Sequence, residues 1–276
     1  MATSTDPGLA PAFEPLKGSK AAGRDNVLLL QLMCFVGALA VWMLVSLTGL
    51  ISETALPNPA SVANDFIGLV GTGEFWQSVG DTLRGAVVGL AFAIVVGIPL
   101  GLLTGTYASA EQATRLLLDV MRSFPVIALL PVFLLVLGST AQMKATVVFI
   151  ACVFPILIQA QYGARGVDPM ISETVRSYRI PRLLRFRKVI LPSATPSIMT
   201  GLRLAATTSV LVAIGVEILT TLPGIGHMVT QEQQAGNAAA AYAYILTAGL
   251  LGYLINRLSQ LAEDRLLRWR PPAHTV

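Results

Sequence analysis

Histidine and cysteine are nearly missing from this chain: its 276 residues hold two of each. Cys34 and Cys152 both sit inside long apolar runs, so they read as packing residues and imply neither a disulfide framework nor a thiolate metal site. His227 and His274 are too few and too far apart for a His-Glu-x-x-His site, and no nucleophile stands beside a base. No catalytic and no metal-binding residue is therefore assigned. A Walker-type phosphate loop is also lacking, so any ATP hydrolysis belongs to another polypeptide. Charge is scarce as well. Asp, Glu, Lys and Arg make up 12% of the residues, against about 25% in soluble domains.

What fills the chain is apolar. Hydrophobic residues reach 54% and mean hydropathy is +0.69. A bilayer-spanning helix needs about 20 apolar residues, and six stretches qualify: 27–50, 85–103, 116–137, 145–160, 200–219 and 238–254. An all-α membrane protein of six transmembrane helices is expected. Pro125 and Pro131 in the third stretch and Pro155 in the fourth remove backbone donors and are expected to kink those helices. Glycines at 85, 89, 97 and 101 follow small-xxx-small spacing, which reads as close packing within the bundle.

Residues 1–25 are polar and proline-bearing and read as a flexible cytoplasmic tail, followed by a six-span transmembrane domain at 26–262 and a cytoplasmic C-terminal tail at 263–276. The first apolar run is longer than a signal-peptide core, so no cleavable leader is expected. With the N-terminus inside, 17 of the 19 basic residues fall on the cytoplasmic side or at helix ends there, leaving only Arg84 and Lys144 outside. Glu53, Asp65, Glu74, Asp81 and Glu232 give the outer loops an acidic bias. The positive-inside rule thus places both termini in the cytoplasm. It also accounts for the net charge of +4 through topology and lipid headgroups, with no call for nucleic acid.

Seven basic residues lie between Arg165 and Pro192, in a loop separating two apolar runs. Asp168-Pro169 is an N-cap followed by proline at the first helical position. Ile171, Val175 and Tyr178 recur at spacings of four and three, a narrow apolar stripe on a helix of about ten residues. Pro181 ends it and opens a second short helix. The loop reads as a helix-break-helix element displayed to the cytoplasm.

Here the sequence resembles the permease subunits of ATP-binding-cassette importers. Glu173-Thr174-Val175, Arg179 and Val189-Ile190-Leu191-Pro192 match the spacing of that family's coupling loop: Glu-Ala-Ala, three residues, Gly, nine residues, then Ile-x-Leu-Pro. The run from Pro196 to Ala205 looks like the start of the family's next helix, and Gly224-Ile225-Gly226 resembles its Gly-Leu-Gly loop. Arg122-Ser123-Phe124-Pro125, Val216-Glu217 and the Leu266-Leu267-Arg268-Trp269 ending are similar to permeases importing nitrate, taurine, aliphatic sulfonates and bicarbonate.

The resemblance implies a type I importer bundle in a bacterial cytoplasmic membrane. It implies two cytoplasmic ATPase subunits, which bind ATP and Mg, a second permease, and an external binding protein that delivers a small solute, expected to be an anion. The residues it assigns to ATPase coupling are Asp168, Glu173, Thr174, Val175, Arg176, Tyr178, Arg179, Pro181, Arg182, Leu191 and Pro192, with Val175 and Tyr178 as apolar anchors. Thr174, Val175 and Arg179 depart from the family pattern. If the family's glycine is left-handed, arginine costs roughly 1 kcal/mol there. Such a cost is tolerable when a second, different permease carries a more regular loop, so a homodimer is only slightly favoured over a heterodimer.

Polar residues within the spans are the remaining candidates for a path or gate. Arg122 pairs with Asp119 or meets the solute. Thr207, Thr208 and Ser209 line the path or bond back to their own helix. Glu217 braces an outer gate, meets the binding protein, or bonds a nearby loop, and Gly224 and Gly226 belong to that outer loop. A stand-alone ion-coupled transporter is the alternative, and it calls for internal repeats, which are not evident.

Overall fold

A computed structural model describes residues 24–49 and 51–268 of the chain. Most of the expected N-terminal tail and the end of the C-terminal one, Trp269 included, therefore lie outside the described residues. All regular structure among the described residues is helical: α1 (Arg24–Leu47), α2 (Pro59–Val70), α3 (Gly73–Thr106), α4 (Ala108–Ser123), a 3-10 turn (Val126–Leu129), α5 (Leu130–Leu137), α6 (Ala141–Arg165), α7 (Pro169–Ser177), α8 (Arg182–Arg185), a π-helical turn (Phe186–Ile190), α9 (Leu191–Leu219), α10 (Ile225–Gln234) and α11 (Ala238–Leu266).

Helix α1 belongs to a unit of its own, residues 1–52. Most of its apolar side chains from Leu29 to Leu47 are exposed and none is buried, as suits a helix whose solvent is lipid. At 1.5 Å per residue its 24 residues run about 36 Å, enough to cross the hydrocarbon.

The second unit, residues 53–276, is built on α3, α6, α9 and α11. Helices α3 and α6 approach so closely because α3 offers glycine wherever α6 crowds it. A Cβ on Gly89 would stand 2.6 Å from Val148, one on Gly101 2.4 Å from the Leu157 carbonyl, and one on Gly105 2.5 Å from that of Gln161. The glycine spacing is thus used for packing within one chain, as expected. Helix α9 closes a central core of Ala86, Ala93, Val147, Cys152, Ile156, Ala205, Ala213 and Val216. Buried Cys152 donates to the Ala205 carbonyl at 3.3 Å.

Five helices or helix runs are long and apolar enough to cross a bilayer, and the sixth expected span, 116–137, departs from expectation. It is not one kinked helix. Helix α4 and the segment Val126–Leu137 meet at 85°. Phe124, forced out of the helical region by the following Pro125, has ψ 126°, and the chain turns there. Pro131 lies in the first turn of α5, where its missing N–H breaks nothing. Pro155 sits inside the 25-residue helix α6, which continues through it. The remaining spans begin or end beyond the apolar stretches, because their polar end turns still make helical bonds: α9 starts at Leu191 and α11 runs to Leu266.

Candidate functional site

The two ends of the bundle carry different chemistry. At one end, α7 starts where Asp168 accepts from the Met170 N–H at 2.8 Å and Pro169 takes the first turn. Glu173, Thr174 and Arg176 are exposed. Of the two expected apolar anchors only Tyr178 faces outward, 79% exposed; Val175 is 6% exposed and packs into the protein itself. Met170, Ile171 and Leu183 are exposed beside Tyr178 in the same element. These large apolar side chains stand exposed on an otherwise basic loop.

The helix ends in a Schellman motif. The Ile180 N–H bonds the Val175 carbonyl and the Arg179 N–H that of Arg176, both at 3.1 Å, with Arg179 at φ 51° between them. The position of the family's glycine is thus left-handed here, and Arg179 is the one non-glycine with positive φ among the described residues. Pro181 then prevents the helix from resuming until α8. A π turn follows, in which the Leu191 N–H reaches back to the Phe186 carbonyl, and α9 departs with Leu191 and Pro192 exposed at its start.

At the opposite end of α9, Glu217 is fully buried. Its Oε1 lies 3.0 Å from Lys144 Nζ, and its Oε2 accepts from Thr82 Oγ1 at 2.9 Å and from the Gly226 N–H at 3.0 Å. Lys144 spends its other two protons on the carbonyls of Asp81 and Pro223, at 3.1 and 3.0 Å. Thr82 accepts in turn from the Ile225 N–H at 2.9 Å. Every polar atom of this network has a partner, the condition under which charges can lie buried. Glycine makes it fit: a Cβ on Gly85 would stand 2.6 Å from the Lys144 side chain, and one on Gly224, at φ 152°, 2.1 Å from the Glu217 carboxyl carbon.

Residues 97–268 match the family described as binding-protein-dependent transport system inner membrane component. The chain belongs to that family. It is similar to the putative aliphatic sulfonates transport permease protein of Escherichia coli K12, 33% identical over 239 residues that cover 87% of this chain and 91% of the relative. The nitrate import permease protein of Leptolyngbya laminosa is 31% identical over 195 residues, 71% of this chain and 70% of the relative. In fold it is similar to an inward-facing MetNI methionine ABC transporter, with a TM-score of 0.59 at 23% identity over 71% of this chain and 95% of that one.

The permease is therefore a multi-pass membrane protein that works with ATPase subunits and a substrate-binding protein, and it is not itself an enzyme. The alternative of a stand-alone ion-coupled transporter falls with that assignment. Between its two ends the structure sorts the polar candidates. Arg122 pairs with Asp119 at 3.3 Å and, together with Thr208, borders a cleft of about 480 Å3 between the Phe124–Pro125 break, α6 and α9. Thr207 and Ser209 bond back to the carbonyls of Arg203 and Ala206 on their own helix.

Lys144 was not singled out from the sequence, where it stood as an exception to the charge asymmetry. The available signal was that Lys144 and Glu217 are lone opposite charges at the same membrane face of two different spans, and buried charges seek each other.

Proposed function

We propose that this permease forms, as a homodimer, the path by which a small anion such as a sulfonate, taurine or nitrate enters a bacterial cell. An external binding protein delivers the anion at the Gly224–Gly226 end, and two ATPases dock on residues 168–182 at the other. The observation that carries the anion is the similarity to permeases whose names specify sulfonates and nitrate, both anionic. Arg122 and Thr208, which both line the cleft, supply a cation and a hydroxyl suited to such a solute.

Helix-in-groove docking on the ATPase is supported by Tyr178, Met170 and Leu183 standing exposed among Arg176, Arg179 and Arg182. The basic loop is best placed in the cytoplasm, with both chain termini on that side.

Uptake of a labelled sulfonate by cells expressing the full complex tests the reading, with nitrate and taurine as competitors. Competition by these ions and none by neutral sugars is expected. A cognate binding protein that held only neutral or cationic solutes would overturn it. The mass of the intact detergent-extracted complex tests stoichiometry: two copies of the 29.2 kDa chain are expected, and one copy beside a different permease overturns the homodimer.

A further inference from the structure

The buried pair at the outer end of α9 does more than satisfy itself. The network of Lys144, Glu217 and Thr82 takes its members from four separate segments: α3 through the Asp81 carbonyl and Thr82, α6 through Lys144, α9 through Glu217, and the turn 220–226, which runs into the first residues of α10, through the Pro223 carbonyl and the N–H groups of Ile225 and Gly226. Hydrophobic residues would hold four segments together without the desolvation cost that a buried ion pair carries, so such a pair is poorly explained by stability. What directional bonds add is a single permitted arrangement of the parts they join.

The position of the network tells what that arrangement serves. Helix α9, continuous through Pro196, spans about 40 Å from Leu191, at the π turn beside the α7–α8 element, to Glu217. A displacement of the basic loop at one end reaches the outer end through this rod. Whether α9 then slides past its neighbours or carries them along depends on how firmly Glu217 is held. Its carboxylate is held by a cation from α6, a hydroxyl from α3 and a loop amide at once, and Gly224 leaves no space for it to shift.

We propose that Lys144, Glu217 and Thr82 are positioning residues that make the outer ends of α3, α6 and α9 and the turn 220–226 one rigid block, which moves as a unit during transport. The outer gate then opens between blocks and never within one. This inference rests on the importer-permease reading.

Two measurements on the complete transporter test it, both in a background with Cys34 and Cys152 replaced by alanine. In the first, Thr82→Cys and Ile225→Cys, residues that adjoin because the Thr82 hydroxyl meets the Ile225 backbone N–H at 2.9 Å, are mildly oxidised, and uptake is read only on protein in which non-reducing mass analysis shows the cross-link formed. Uptake by the oxidised protein equal to that of its own reduced form is expected, because a staple inside a rigid block restrains nothing that moves. Loss of uptake on oxidation, restored by reductant, overturns the proposal.

In the second, Lys144→Met should lower uptake roughly tenfold and abolish stimulation of ATP hydrolysis by the binding protein while basal hydrolysis persists, because the unpaired carboxylate reorganises the block. Lys144→Met with Glu217→Gln removes the unpaired charge yet keeps one amide oxygen to accept from both Thr82 and Gly226, so it should recover to within about threefold of the parent. If Lys144→Met alone does not assemble, recovery of assembly and uptake in the double variant carries the same meaning. Full activity of the single variant, or a double variant no better than the single, overturns the proposal. A parent protein that took up solute without any ATPase would sink the importer reading instead, and would show this before any variant was compared.

Discussion

Gly224 and Glu217 are packed so tightly that a Cβ on the glycine would lie 2.1 Å from the carboxyl carbon and 2.3 Å from both carboxylate oxygens. The turn before α10 therefore serves as a lid on the buried charge, and its backbone, at φ 152°, takes a conformation that side chains rarely adopt. Gly226, one residue beyond Ile225, is equally confined, with a virtual Cβ 2.4 Å from the Ile214 carbonyl.

Gly224→Ala should consequently destabilise the protein by about 3 kcal/mol, from backbone strain at positive φ and overpacking together. The check is the thermal inactivation midpoint of the detergent-extracted protein. A midpoint within a degree or so of the parent would mean that the loop yields freely.

The stripe on α3 supplies a contrast within one helix. Gly101→Ala drives a methyl against the Leu157 carbonyl and should cost about 1–3 kcal/mol. Gly80→Ala, with nothing within 4 Å of the added carbon, should be neutral or stabilise by up to about 1 kcal/mol through helix propensity. The same thermal assay orders the two, and similar losses at both sites would contradict the packing described.

Arg179→Gly should stabilise the α7–α8 element by about 1 kcal/mol, since glycine pays no left-handed penalty at the Schellman position. Uptake per ATP hydrolysed should stay unchanged. Lost coupling in a better-folded variant would show instead that the guanidinium contacts the ATPase.

Tyr178 and Val175 should separate docking from folding. Tyr178→Asp places a charge on the exposed apolar surface and should weaken co-purification of the ATPase about tenfold or more while membrane levels hold. Val175→Asp buries that charge inside the permease and should lower the amount of folded protein itself. Normal uptake with Tyr178→Asp would remove this surface from the joint.

Much of the architecture was legible because bilayers impose simple rules. Apolar length located the spans, and Asp168-Pro169 and Pro181 marked the limits of the α7 element through capping and a missing donor. The 85° break at Phe124–Pro125 was legible only as a kink. Whether proline bends or breaks a helix depends on which neighbours replace the lost bond, and the local sequence does not carry that information.

The polar candidates divide on the same physical line. Arg179 was recognisable as a departure from a pattern, and its sequence position alone raised the question of a left-handed residue. Val175 belonged to the apolar stripe, yet a stripe of 3.6 periodicity does not say whether its cover comes from the same chain or from a partner.

By itself, the sequence determined what depends on composition and on near neighbours along the chain: an all-helical membrane protein, its charge asymmetry, the capped helix α7 and the turn after it. Only the tertiary structure decided what depends on residues distant in sequence. Lys144 and Glu217 are 73 residues apart and meet at 3.0 Å because α3, α6 and α9 converge at one end of the bundle. A charge near a span end is equally suited to water, to a headgroup or to a buried partner, and its desolvation cost is met in only one of these by another charge. That choice was made by packing: the glycines at 85, 224 and 226 leave room for the pair and for nothing else.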